Sequence, residues 1–165
     1  MAYFAALLAR TDDGWIVRES DLDEVEDLES LADSMRKAAV DEEPVLLFVE
    51  QEDTWFGIVR VDGEDDPRVF VSDAAAATRS SYGDMLLADL ATTGLDEDPD
   101  AEYDEDENAA VFPASEPVGD TELLADLGTL PDDLLELCGE GLLPTDALTA
   151  IAERAGCADE LETVR

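Results

Sequence analysis

The sequence predicts an α+β protein: a mostly antiparallel sheet in the order ββαβββα with helices packed on it, plus a small all-helical C-terminal segment. Three observations carry that prediction. Short β-prone runs recur between residues 3 and 71, separated by Gly- and Pro-containing turn signals. One strongly amphipathic helical stretch interrupts them between residues 20 and 39. From Val118 onward the apolar residues fall at helical steps broken by Gly and Pro.

Tyr3 to Ala9 is apolar at both parities, which suits a strand buried on both faces. Asp12-Asp13-Gly14 is a turn signal, and Trp15 to Arg18 reads as the returning strand of a hairpin. Ser20 or Asp21 can cap the next element, a helix, and acids crowd its first turns at the positive end of its dipole. Leu22, Val25, Leu28, Leu31, Ala32, Met35 and Ala39 form one stripe, and Arg36 and Lys37 sit at the negative end. Pro44 opens the run Val45 to Val49, typical of a central strand. Trp55 to Val61 and Arg68 to Val71 are two further strands, and the three should form an antiparallel meander. Asp73 to Ser81 is Ala-rich and ambiguous. Asp84 to Ala91 reads as a helix, with Met85, Leu86, Leu87 and Leu90 apolar.

Between Asp96 and Glu107 nine of twelve residues are acidic, and Pro99, Pro113 and Pro117 add breaks. The expected organisation is an α+β domain over residues 1–91, an acidic flexible linker over 92–117 and a short helical segment over 118–165. Asp120 can cap a first C-terminal helix through Leu123, Leu124 and Leu127, stopped by Gly128. Pro131 can open a second with Leu134, Leu137 and Cys138 apolar. Thr145 can cap a third with Leu148, Ile151, Ala152 and Ala155 on one face. Three short helices make a core that is marginal alone, so they should dock on the first module or on a partner.

Composition excludes whole classes of function. The chain has 165 residues, 45 Asp or Glu, 9 Lys or Arg and no His, for a formal net charge of −36. Nucleic-acid binding needs a basic footprint on the phosphates, and anionic membrane surfaces select the same sign. The lack of His removes Ser/His/Asp and Cys/His catalysis and His-ligated zinc. Cys138 and Cys157 make neither a disulfide framework nor a cysteine zinc site, and buried small hydrophobes are the simplest reading. No run reaches the ~20 apolar residues of a membrane helix, and the start lacks a basic region before its apolar stretch. The expected location is the cytoplasm, and no cofactor is expected.

Candidate chemistry is sparse. Asp96, Asp98, Asp100 and Glu107 fall at calcium-loop steps, but Ala101 stands where the sharp turn wants Gly and Pro99 stands at the fourth position. A plain acidic linker is the better reading. Glu50 and Asp73, at strand ends, are positions for acid–base work or merely solvated carboxylates. The candidate partner-binding residues are Arg79, Ser80, Ser81 and Tyr82, a basic, hydroxyl-rich patch that can hold an anion or a carboxylate, or simply form a loop. Trp15, Trp55 and Phe56 are aromatic anchors for a partner if exposed, and core residues, the better reading, if not.

The segments Met1–Arg10 (MAYFAALLAR), Glu50–Gly63 (EQEDTWFGIVRVDG), Ser72–Gly83 (SDAAAATRSSYG) and Leu142–Arg154 (LLPTDALTAIAER) resemble the tRNA adenosine deaminase-associated proteins of actinobacteria. The resemblance covers most of the chain outside the acidic stretch and carries no chemical motif. It implies association with the enzyme that converts adenosine to inosine in tRNA. That chemistry needs a His/Cys/Cys zinc site and a Glu in an H-x-E…P-C-x-x-C pattern, and this chain has neither His nor CxxC. The expected function is therefore a non-catalytic accessory of the deaminase. The alternative is an independent acidic module that binds basic proteins and has no part in tRNA deamination. A small enzyme working with carboxylates alone is the remaining class.

Overall fold

A computed structural model of the chain describes residues 3–20, 27–39, 43–51, 54–63, 67–77, 83, 85–87, 117–139 and 143–164. The strands are β1 (Tyr3–Thr11), β2 (Gly14–Glu19), β3 (Val45–Gln51), β4 (Trp55–Val61), β5 (Arg68–Val71) and β6 (Val118–Gly119). The helices are α1 (Leu28–Ala38), α2 (Ala74–Ala77), α3 (Pro131–Gly139), α4 (Pro144–Ala155) and α5 (Ala158–Val164). Residues 85–87 are also helical, and Ala125–Leu127 forms a 3-10 turn.

The strands form one sheet in the order β2-β1-β3-β4-β5-β6, with every neighbouring pair antiparallel. The α+β class, the first hairpin and the β3-β4-β5 meander are as the sequence predicts. Alternation along each strand divides the side chains between two apolar clusters. The first face carries Val45, Leu47, Val49, Val59 and Val69, covered by Leu31, Ala32 and Met35 of α1, Ala74 and Ala77 of α2, and Leu86 and Leu87. The second carries Leu8, Leu46, Phe48, Ile58 and Phe70, covered by Leu123, Leu134, Leu148, Ile151 and Leu161. Because both faces are covered, β1, β3 and β4 read as continuous apolar runs rather than alternating ones.

α1 shows why its local sequence is helical. The Asp27 carboxylate accepts the Ser30 N–H at 2.8 Å, Glu29 lies in the first turn, and Arg36 and Lys37 lie in the last. The described helix thus starts at Leu28 under an Asp27 cap; of the two expected caps, Ser20 instead donates its backbone N–H to the Ala5 carbonyl of β1, and Asp21 lies outside the described residues. Leu28, Leu31, Ala32 and Met35 are its buried face.

The C-terminal part departs from expectation in two places. Val118 and Gly119 are strand, not the approach to a helix: they pair with Val71 and Phe70 and extend the sheet. Gly119 has a φ of 114°, and a Cβ there would lie 2.3 Å from the Val69 carbonyl oxygen, so this close approach requires glycine. The helix expected from Asp120 shrinks to turn and 3-10 geometry, because Asp120 is drawn onto the sheet by Arg68. A further helix, α5, closes the C-terminal part, where the sequence pattern ends with α4. α4 packs on β3 and β4, and α5 on β2 and α4, so these helices dock on the sheet. The acidic stretch from Asp96 to Glu107, with its calcium-loop spacing, lies outside the described residues.

Candidate functional site

The polar groups that matter most lie between the sheet and its C-terminal layer. Arg60 points to the second face near the end of an otherwise apolar strand, and it is only 5% exposed. Its Nη1 and Nη2 donate to the two oxygens of Asp126, the latter at 2.9 Å. Its Nη1 also donates to the Leu123 carbonyl at 2.6 Å, and its Nε to Asp62 at 3.0 Å. A guanidinium presents a planar fork of donors, which suits it to hold a carboxylate and a carbonyl together.

Arg68 stands directly opposite Arg60 across β4 and β5. Its Nε donates to Asp120 at 2.6 Å. Two guanidiniums side by side are tolerable only among carboxylates, and Asp62, Asp120 and Asp126 supply them. The hydrogen bond to Asp126 raises the Arg60 pKa, against its desolvation, with Asp62 helping. The Asp126 carboxyl is held below its ordinary range first by that same hydrogen bond. For Asp120, burial pushes upward, but the Arg68 hydrogen bond, the Glu122 N–H and both arginine charges prevail and lower it.

Further ties join the same layers. The Trp15 indole N–H donates to the Ala155 carbonyl at 3.1 Å. The Thr145 hydroxyl donates to Glu50, linking α4 to β3. Arg154 of α4 meets Asp133 of α3 at 2.8 Å. Thr145 therefore bonds across to the sheet, while Leu143 occupies the N-cap position and Pro144 comes next at the start of α4.

Trp55 and Phe56, the candidate aromatic anchors, are 1% and 2% exposed and lie in opposite clusters. They are core residues, and neither presents a surface to a partner. The Trp55 ring lies against its own strand: a Cβ on Gly57 would meet Trp55 Cζ3 at 2.9 Å and Leu86 Cδ1 at 3.1 Å. Its buried indole N–H has no hydrogen-bond partner among the described residues. Arg79, Ser80, Ser81 and Tyr82 lie outside the described residues. Asp73 accepts the Ala76 N–H and so caps α2. Cys138 and Cys157 are free, and burial pushes both thiols up to about 12, which leaves them protonated and poorly nucleophilic.

Among the described residues no group of three or more His, Cys, Asp or Glu is placed to hold a metal ion. No helix among them is long and apolar enough to cross a membrane. The chemical work of the arrangement is to hold: carboxylate, guanidinium and carbonyl groups fix a helical layer onto a sheet. Arg60 is not among the residues that motif and composition single out. Its signal is a single arginine inside the run Phe56 to Val61, where a charge can be buried only beside its counter-charge.

No curated protein and no solved structure matches the chain. A family model does, over residues 3–158, from β1 to the start of α5. On that match, the chain belongs to the Rv3753c-like tRNA adenosine deaminase-associated protein family.

Proposed function

We propose that this protein is a non-catalytic accessory that binds the tRNA adenosine deaminase through electrostatic complementarity. The family description, which names association with a tRNA adenosine deaminase, supports this choice of partner. The observation that carries the reading is where the cations go. At least four of the nine basic side chains are engaged by the chain's own carboxylates: Arg36 by Asp33, Arg60 by Asp62 and Asp126, Arg68 by Asp120, and Arg154 by Asp133. With scarce positive charge partly spent on these pairs, none of the described carboxylate residues is buried. Such a surface repels tRNA and attracts a protein that has a basic groove for tRNA.

The absence of His, the protonated thiols and the structural use of Arg60 favour a binding role over a catalytic one. The test is co-purification with the cognate deaminase, followed by size-exclusion chromatography at low and moderate salt. The expected result is a co-eluting complex that weakens as salt screens the attraction, with no shift for an unrelated basic protein. Separate elution at both salts overturns the proposal. Equal binding to several basic proteins replaces it with a general acidic interaction module.

A further inference from the structure

We propose that α3 and the residues that bracket it form the docking face for a basic protein surface carrying an apolar anchor. This rests on the accessory reading and adds to it the surface that makes the contact. The large apolar side chains exposed among the described residues are Ile16, Leu130, Leu135 and Leu143. Three of these four belong to one short stretch. Leu130 immediately precedes α3, Leu135 stands on its outer side, and Leu143 immediately precedes α4. Their exposures are 56%, 41% and 48%, far more than solubility favours in a chain so rich in charge.

The geometry spreads the leucines along the helix. The Arg154–Asp133 ion pair joins the end of α4 to the start of α3. Leu143 follows the last residue of α3 by only four positions, so it lies toward that end of the helix, with Leu135 between it and Leu130 along the chain. Nine helical residues span ~13 Å, the reach of a few side chains from one partner element. Inward, α3 is secured by Leu134, which is fully buried, with Leu137 and Cys138 packed beside it. The outward leucines are thus not needed to hold the helix in place.

Charge selects the occupant. Asp132 and Glu136 flank Leu135 on the exposed side of α3, and Asp146 is exposed one turn beyond Leu143. Exposed leucines set among carboxylates fit a partner with aliphatic or aromatic anchors among Lys and Arg. A second copy of this chain fits badly, since each carries a net charge of −36. The chain's own acidic stretch would set carboxylates against carboxylates.

The test uses the full-length protein and the cognate deaminase, with affinities measured at several salt concentrations. The combined Leu130→Ser, Leu135→Ser and Leu143→Ser variant should bind at least about tenfold more weakly, with an unchanged urea midpoint. Ile16→Ser, on the edge strand β2, should bind like the wild type. The double variant Asp132→Asn and Glu136→Gln should flatten the salt dependence of affinity. Wild-type affinity in the triple variant, or an unchanged salt slope in the double variant, overturns the inference and leaves the accessory reading standing. No complex with the wild-type chain at any salt overturns both. A wild-type dimer that the serine substitutions abolish assigns the face to self-association instead and overturns the inference.

Discussion

The first face of the sheet is sealed by apolar contacts from elements close to it in sequence. α1 enters between β2 and β3, and α2 and residues 85–87 come directly after β5. The second face is covered by residues 123–161, which return to the sheet across a long acidic interval. That return is marked by polar ties the first face does not show in comparable form among the described residues: Arg60 to Asp126 and Leu123, Arg68 to Asp120, Trp15 to Ala155 and Thr145 to Glu50. A hydrophobic layer can settle in many orientations, whereas a forked guanidinium accepts few. Packing thus closes both sides, and on the second it is joined by ion pairs and hydrogen bonds that restrict how the distant segment sits.

The largest effects should come from the packing itself and test whether the two faces form one unit. Leu47 and Phe48 are neighbours on β3 and face opposite clusters, both fully buried. Leu47→Ala should cost about 2–5 kcal/mol and Phe48→Ala about 3–5 kcal/mol in urea unfolding. Both should lower a single transition, because they share the strand. A transition that splits in Phe48→Ala alone would divide the molecule into two separately stable parts.

Next in size is the arginine pair. Arg60→Met removes charge-assisted bonds from a nearly buried site and should cost about 2 kcal/mol. The figure stays below that for a fully buried pair because the Asp126 side chain is 59% exposed and can regain water. Arg68→Met, at a site 36% exposed, should cost only about 0–1 kcal/mol. Equal losses would mean that the pair acts as one cluster rather than as one clamp and one surface bridge.

Acid titration sharpens the same contrast. Asp126 and Asp120 have folded pKa values below the ordinary 3.8. Each therefore binds its proton less readily in the folded chain. Their contribution is complete above about pH 4 and is lost as pH falls through the lower folded values. The general repulsion among 45 carboxylates acts oppositely, easing as pH falls from 7 toward about 4. Thermal midpoints should rise on mild acidification and then fall, and Asp126→Asn should blunt the fall. A midpoint that rises steadily to about pH 2 would show that the ties contribute nothing measurable.

The legible parts of the fold are those with a repeating local signal. The runs Val45 to Val49 and Trp55 to Val61 announce strands covered on both sides, and the Leu28 to Met35 stripe announces α1. Two-residue β6 is too short for any period, and its pairing depends on Gly119 and on Asp120 reaching Arg68, 52 positions earlier. α5 escapes the pattern because Gly156 reads as an end, while a single buried residue, Leu161, anchors the helix beyond it. Trp55 and Phe56 read first as core and second as anchor, since an aromatic pair at a strand start carries no sign of which layers cover it. The arginine clamp is hidden for the same reason: its partners in the C-terminal layer, Leu123 and Asp126, are 63 and 66 residues away.

The smallest expected effect isolates one tie. Ala155 is the last residue of α4, and its carbonyl has no following turn to accept from within the helix. The Trp15 indole N–H supplies that missing donor from the edge strand β2. Trp15→Phe keeps an aromatic body against the second cluster and deletes the donor. The expected cost is about 0.5–1.5 kcal/mol, toward the lower end because Trp15 and Ala155 are only half-buried and water can take the donor's place. In a domain of this length, that corresponds to a fall of about 2–4 °C per kcal/mol in the thermal midpoint. A loss as large as that of Arg60→Met would shift the weight of the second face from the arginine clamp to the sheet edge, where α5 packs on β2.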